Sequence, residues 1–232
     1  MRLLLLLAFS AIFTAAPAQE IIRSIVTQPI DPTAQAKADA VVQLLREANL
    51  LLSEKKTDDA IVKVNAALAQ NPRSLDAYVL LGAIHSEQKA WDKAQSDFEN
   101  AHLINPHSLV VEFNLSEIKF SQKLYDAARP GFVQLESDKV TDIGDLAVYK
   151  AFLCDLFGGH EDAADKDLAA INEVGSGASY YFSNAAWDLF HRKFDDAQDW
   201  LRSATAIYSN QKSGFYLSSL YQLGYLPITA PK

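Results

Sequence analysis

The sequence predicts an all-helical fold built from tandem helical hairpins, and three observations carry that prediction. Small residues recur in phase 34 positions apart, as from Ala60 to Ala94 and from Ala67 to Ala101. Pro and Gly fall mostly where such a repeat needs loops, at Asn71-Pro72, Asn105-Pro106, Gly158-Gly159 and Gly175-Ser176-Gly177. No alternating apolar and polar run is long enough to suggest a sheet. With 232 residues, 49% of them hydrophobic, the chain can bury a continuous core.

The clearest unit runs from Leu75 to Ser108 and contains Tyr78, Leu81, Gly82, His85, Ala94, Phe98, Ala101 and Pro106. Gly82 and Ala94 are small because two helices cross there, and larger side chains would hold the backbones apart. Tyr78, Leu81 and Phe98 fill the space on either side of the crossing. Ala101 lets the next unit approach, and Pro106 ends the second helix because it cannot continue the hydrogen-bond ladder. In order and spacing this stretch resembles the tetratricopeptide repeat, W-x2-L-G-x2-Y…A-x3-F…P. His85 stands where that family usually has Tyr, and reads as a satisfied polar side chain at a packed interface. The resemblance implies antiparallel helix pairs stacked into a right-handed superhelix (an α-solenoid), and a binding scaffold rather than an enzyme.

One repeat cannot bury its own apolar face, so copies are required. Ala48, Ala60, Ala67 and Pro72 lie 34 residues upstream of Gly82, Ala94, Ala101 and Pro106. Leu115, Ser116, Ala128 and Phe132 lie 34 downstream of Leu81, Gly82, Ala94 and Phe98, without the loop proline. After one inserted residue come Ala151, Ala163 and Ala170, then Ala185, Ala197 and Ala204 with Tyr181 and Leu201. Phe215 and Ser219 repeat Tyr181 and Ala185 in a closing helix. The units are therefore placed at about 41–74, 75–108, 109–142, 144–177 and 178–211, with the closing helix at 212–224, a repeat domain over 32–226 and a tail at 227–232.

Upstream of the repeats, Met1 to Ala18 reads as a secretory signal: the amino group and Arg2, an apolar run from Leu3 to Phe13, and Ala16-Pro17-Ala18 as cleavage site. Cleavage after Ala18 leaves an exported protein, periplasmic or secreted in a bacterium, with no membrane insertion. Residues 19–31 form an arm or tether. Asp31-Pro32 reads as an N-cap followed by Pro at the first helical position, opening a helix to about Glu54. Thr57-Asp58-Asp59 is expected to cap the next helix, and Ser74 and Ser108 to open the second and third units. Pro130 sits inside the expected helix from Tyr125 to about Glu136, so 130–144 is the expected break in regularity.

Loss of Arg2 takes the formal charge from −8 to −9, with 20 basic against 29 acidic residues, which argues against nucleic acid and anionic membranes as partners. Cys154, the only cysteine, has apolar neighbours and reads as a buried thiol. There is no H-E-x-x-H, paired-Cys motif, phosphate loop or G-x-S-x-G, so neither a cofactor nor catalysis is expected. His160, Glu161, Asp162 and Asp165 lie at a helix start, where the acids suit the exposed amides better than a metal. Asn114-Leu115-Ser116 matches a glycosylation acceptor but falls inside an expected helix.

The resemblance places a partner site on a concave groove lined by the first helix of each hairpin. By register this gives Leu45, Asn49 and Leu52, then Val79, Ala83 and Ser86, then Phe113, Glu117 and Phe120. The fourth unit gives Val148, Phe152 and Asp155, and the fifth Phe182, Ala186 and Leu189. The carboxylate clamp familiar in this family needs Lys, Arg and Asn together, and only Asn49 matches. The groove instead reads as apolar and aromatic, suited to a partner's helix or extended apolar segment. Two alternatives stand beside it: Phe113, Phe152 and Phe182 are covered within the chain by the arm or closing helix, or the protein is a homo-oligomer assembled through Tyr216, Leu217, Leu220, Tyr221 and Leu223.

Overall fold

A computed structural model describes residues 32–138 and 141–226. The expected signal with its cleavage site, the expected arm, Asp31 and the expected tail lie outside the described residues. Among the described residues there are eleven α-helices. They divide between two compact units, one ending at Pro106 and one starting at His107.

The first unit holds α1 (Pro32–Ser53), α2 (Thr57–Gln70), α3 (Leu75–Glu87) and α4 (Trp91–Ile104). Its core joins Ala48, Ala60, Val64, Ala77, Leu80, Leu81 and Ile84, and Leu45, Leu51 and Leu52 lie against it. Gly82 faces Phe98 so closely that a Cβ would stand 2.8 Å from the ring, which is the crossing expected from the repeat. His85 Nδ1 meets Asp97 Oδ2 at 2.5 Å, joining α3 to α4 where Tyr is usual in the repeat.

The second unit holds α5 (Leu109–Ser121), α6 (Tyr125–Leu135), α7 (Ile143–Gly158), α8 (Glu161–Val174), α9 (Ala178–Phe190), α10 (Phe194–Ile207) and α11 (Asn210–Gln222). Its aromatic core includes Phe113 against Phe132 at 5.3 Å and Phe182 stacked on Tyr216 at 4.9 Å. Tyr149 lies 5.2 Å from Tyr216 and donates from its hydroxyl to the Tyr216 carbonyl.

Within the hairpins one backbone device recurs. The first helix ends on a residue at positive φ: Lys55, Lys89, Lys123, Gly159 and Arg192. Lys89 donates its N–H to the Ser86 carbonyl at 3.0 Å and Ala90 to that of His85 at 2.8 Å; Lys123 and Leu124 do the same to Phe120 and Lys119. These paired bonds satisfy the carbonyls that a helix end leaves open. The second helix then starts without a side-chain cap and carries acids in its first turn, among them Asp58, Asp59, Asp92, Asp126, Asp195 and Asp196. Those charges favour the positive helix end. Thr57 is accordingly the first residue of α2, not its cap, which is Lys56. Ser74 does cap α3, accepting from the Ala77 N–H at 3.3 Å, whereas Ser108 stands at the start of α5 without a side-chain cap bond.

The fourth hairpin corrects the expected register. From the small residue of the first helix to the positive-φ residue is seven positions at Ala48–Lys55, Gly82–Lys89, Ser116–Lys123 and Ala185–Arg192, but eight at Ala151–Gly159. The extra residue lengthens α7 and shifts α8 by one. Ala164, fully buried, therefore takes the interior place expected of Ala163, which is half-buried, and Ile171 takes that of Ala170, which is exposed.

The expected irregularity after Pro130 takes a definite form: α6 runs through Pro130 and stops at Leu135, 11 residues long against 14 in α4, α8 and α10. In the closing helix, Tyr216 and Leu220 are turned inward and fully buried, which removes them from the surface patch expected for self-assembly. Leu217 and Leu223 are half-buried and Tyr221 is exposed.

Candidate functional site

The expected groove residues separate into two groups. Leu45, Leu52, Val79, Glu117 and Val148 are half-buried and Asn49 is exposed, with its amide donating to the Leu45 carbonyl at 2.9 Å. Ala83, Ser86, Phe113, Phe120, Phe152, Asp155, Phe182, Ala186 and Leu189 are buried. For the aromatic residues this corrects the expectation of an open lining. Phe113 and Phe120 pack on Phe132 within their own hairpin, and Tyr216 of α11 covers Phe182.

Charged groups that the sequence reading passed over hold the acidic groove positions. Lys150 is 2% exposed, donates to Glu117 Oε1 at 2.8 Å and lies 4.3 Å over the Phe120 ring. Arg129 donates from Nε to Asp155 at 2.6 Å and from a terminal nitrogen to Asp167 at 3.1 Å. Burial raises the Asp167 carboxyl, and a hydrogen bond with Asp155 adds to that rise. Both cations stand close to acids about one repeat away in sequence, and a lone lysine in the apolar stretch of α7 was the available signal. Burial pushes the Cys154 thiol up to about 12, as suits a thiol packed as a small hydrophobe.

A cleft of about 500 Å³ lies in the second unit. Its lining includes Glu136 and Asp138, which follow the end of α6, and Ala170, Ile171 and Val174 of α8. Gly144 makes the close turn into α7: a Cβ there would stand 1.9 Å from the Asp138 carbonyl oxygen. Asp145, also in the lining, accepts from the Ala178 and Ser179 N–H groups at 3.0 and 3.1 Å, from the Ser179 hydroxyl at 2.5 Å and from the Tyr216 hydroxyl at 2.6 Å. Lys212, also in the lining, donates to Asp142 at 2.7 Å.

Elsewhere, residues at the start of α8 form separate pairs: His160 Nε2 meets Asp126 at 2.8 Å, and Glu161 meets His191 Nε2 at 2.9 Å. Among the described residues no group of three His, Cys, Asp or Glu side chains is gathered to hold a metal. Asn114 is buried within α5. No described helix is long and apolar enough to cross a membrane.

No protein-family model matches the chain, and no curated protein matches it either. Solved structures do share its fold. One, reported in a functional characterization of Pseudomonas aeruginosa PilF, has a TM-score of 0.59 and 16% identity over 82% of this chain and 90% of that chain. PilW, a widely conserved type IV pilus biogenesis factor, has a TM-score of 0.58 and 16% identity over 84% and 88%. YrrB, a tetratricopeptide-repeat protein with an unusual peptide-binding site, has a TM-score of 0.50 and 17% identity over 84% and 98%. The chain thus has the tetratricopeptide-repeat fold, an α-solenoid of helical hairpins. At these identities the likeness is one of fold.

Proposed function

We propose that this chain is an exported, non-enzymatic scaffold for a protein partner in the bacterial envelope. The observation that carries the reading is the fold: helical hairpins whose first helices leave Leu45, Asn49, Leu52 and Val79 accessible on the first unit. That face has apolar contact area and one polar anchor, the composition that a partner's amphipathic helix or extended segment needs. The expected export signal at Met1–Ala18 and the likeness in fold to PilW, a type IV pilus biogenesis factor, support an envelope setting. The buried rings of the second unit narrow the expected groove to its accessible positions.

The test is recovery of partners from an envelope extract with the mature chain, wild type beside the double variant Asn49→Glu with Val79→Glu, after circular dichroism shows equal helicity. The expected result is a partner held by the wild type and lost from the variant. Equal recovery by both would remove this face from the function.

A further inference from the structure

We infer that a pocket between the α2–α3 turn and the end of α4 docks an acidic side chain of the partner flanked by an aliphatic residue; the inference rests on the scaffold reading above. Pro72, Arg73, Tyr78, Asn100, Leu103 and Ile104 line it, all within the first unit, with a volume of about 280 Å³. That is just under the roughly 300–1,000 Å³ of a site for a drug-sized ligand, so the pocket suits one or two side chains and not a whole cofactor. Leu103 is 75% exposed, the highest figure for a large hydrophobic side chain among the described residues. The repeat itself does not require this set. At the places of Leu103 and Ile104 the preceding unit has Ala69 and Gln70 and the following one Ser137 and Asp138, 34 positions away in each case. An aliphatic side chain laid against Leu103 would cover surface that the described residues leave in water.

Charge selects the occupant. Of the six lining residues only Arg73 is charged, and its guanidinium has no partner among the described residues. Glu99 and Asp76, the acids nearest in sequence to lining residues, lie outside the lining, and Glu99 accepts from Gln95 at 2.8 Å. A guanidinium presents a planar fork that meets a carboxylate through two parallel hydrogen bonds, and the Asn100 amide brings further donors. The backbone under Arg73 is already fixed. Asn71 Oδ1 accepts from the Arg73 N–H at 3.0 Å, Ser74 donates its N–H to the Asn71 carbonyl at 3.1 Å, and the Ser74 hydroxyl caps α3. Binding therefore has to order the Arg73 side chain but not its loop, which limits the entropy cost. The formal charge of −8 repels acids at a distance. At ~0.15 M salt, however, the Debye length is about 8 Å, so a direct contact outlasts that field.

The test is an amide-resolved NMR titration of the full chain at ~0.15 M salt with an acetylated, amidated Glu-Leu-Glu-Leu peptide. Acetylated Gln-Leu-Gln-Leu, once amidated and once with a free C-terminus, serves as control. The acidic peptide is expected to shift the amides of Arg73, Tyr78 and Leu103. Binding should weaken about three- to fivefold in Arg73→Gln and recover in part in Arg73→Lys, whose ammonium keeps the charge without the fork. In Arg73→Glu the preference should pass to a Lys-Leu-Lys-Leu peptide. Both Arg73 and Leu103 are exposed, so these variants and Leu103→Ala, which also weakens binding, are expected to keep the helicity of the wild type. Shifts confined to other surfaces, equal binding of the amidated neutral peptide, unchanged binding in Arg73→Gln, or binding that needs a free C-terminus would overturn the inference. An Arg73→Glu chain that still recovers the partner from the extract, while Asn49→Glu with Val79→Glu loses it, would overturn the docking site and leave the scaffold reading intact.

Discussion

Asp145 caps a helix that begins 33 residues after it: its carboxylate receives the N–H groups of Ala178 and Ser179 and the Ser179 hydroxyl. Gly177, at φ +90°, brings the chain in so closely that a Cβ there would stand 2.6 Å from Asp145 Oδ1. The start of α9 is thus held by a side chain of α7, an arrangement that no local capping pattern announces. Asp145→Ala is expected to destabilise the protein by about 2–3 kcal/mol, as a lost cap plus the orphaned Tyr216 hydroxyl. Urea unfolding checks this, with Asp145→Asn expected to fall between the two.

Lysine is an awkward residue at positive φ, where its Cβ crowds the backbone. Lys89→Gly and Lys123→Gly should therefore each stabilise by about 0.5–1 kcal/mol, net of the freedom that glycine restores to the unfolded chain. The opposite change, Gly159→Ala at φ +88°, should destabilise by about 1 kcal/mol. Thermal unfolding of the three variants gives the signs directly.

At the crossing of α3 and α4, Gly82→Ala should cost about 1–3 kcal/mol because the new methyl meets the Phe98 ring. Phe98→Leu relieves that contact. The double variant should be more stable than the two single losses added together, and a double-mutant cycle measures the difference.

The Glu161 carboxylate raises the pKa of His191, chiefly through their hydrogen bond. A raised folded-state pKa gives stability that is fully present below the unfolded value of about 6.5 and is lost as pH rises through the folded value. His191 is 27% and Glu161 57% exposed, so solvent screening holds the contribution to about 0.5 kcal/mol or less. The difference in stability between wild type and His191→Gln should shrink over that window, and an NMR titration should place the His191 midpoint above that of a free imidazole.

Cys154 should resist thiol reagents in the native protein, since its thiol is buried and pushed up to about 12. Reaction with a disulfide reagent should proceed at the rate of unfolding and become fast in denaturant. Rapid labelling under native conditions would contradict this placement.

Much of the fold was legible because the 34-residue phase is set by physical needs at each position, small at a helix crossing and large beside it. Ala48, Ala60, Ala94, Ala128, Ala185 and Ala197 are all fully buried. The phase slipped in the fourth unit because Ala163 and Ala164 are adjacent and either satisfies a pattern of small residues, while the place expected of Ala170 is filled by Ile171, which no pattern of small residues picks out. Only the extra residue inside α7 decides between them. Groove positions were harder still. Register says which way Phe182 points, but Tyr216, which stacks on it, belongs to another helix. Lys150 and Arg129 were missed because their partners lie one repeat away, where the charge pattern of a single helix carries no trace of them.

Tyr216 and Lys212 of α11 reach past α9 to Asp145, Asp142 and Tyr149 on and beside α7. In a solenoid whose repeats touch only their immediate neighbours, terminal units fray independently and unfolding spreads along the array. Contacts that skip a repeat change that behaviour. They lock the last three first-helix elements into a single cooperative block, so hydrogen exchange in α7, α9 and α11 should report one shared opening event instead of a gradient from the C-terminal end.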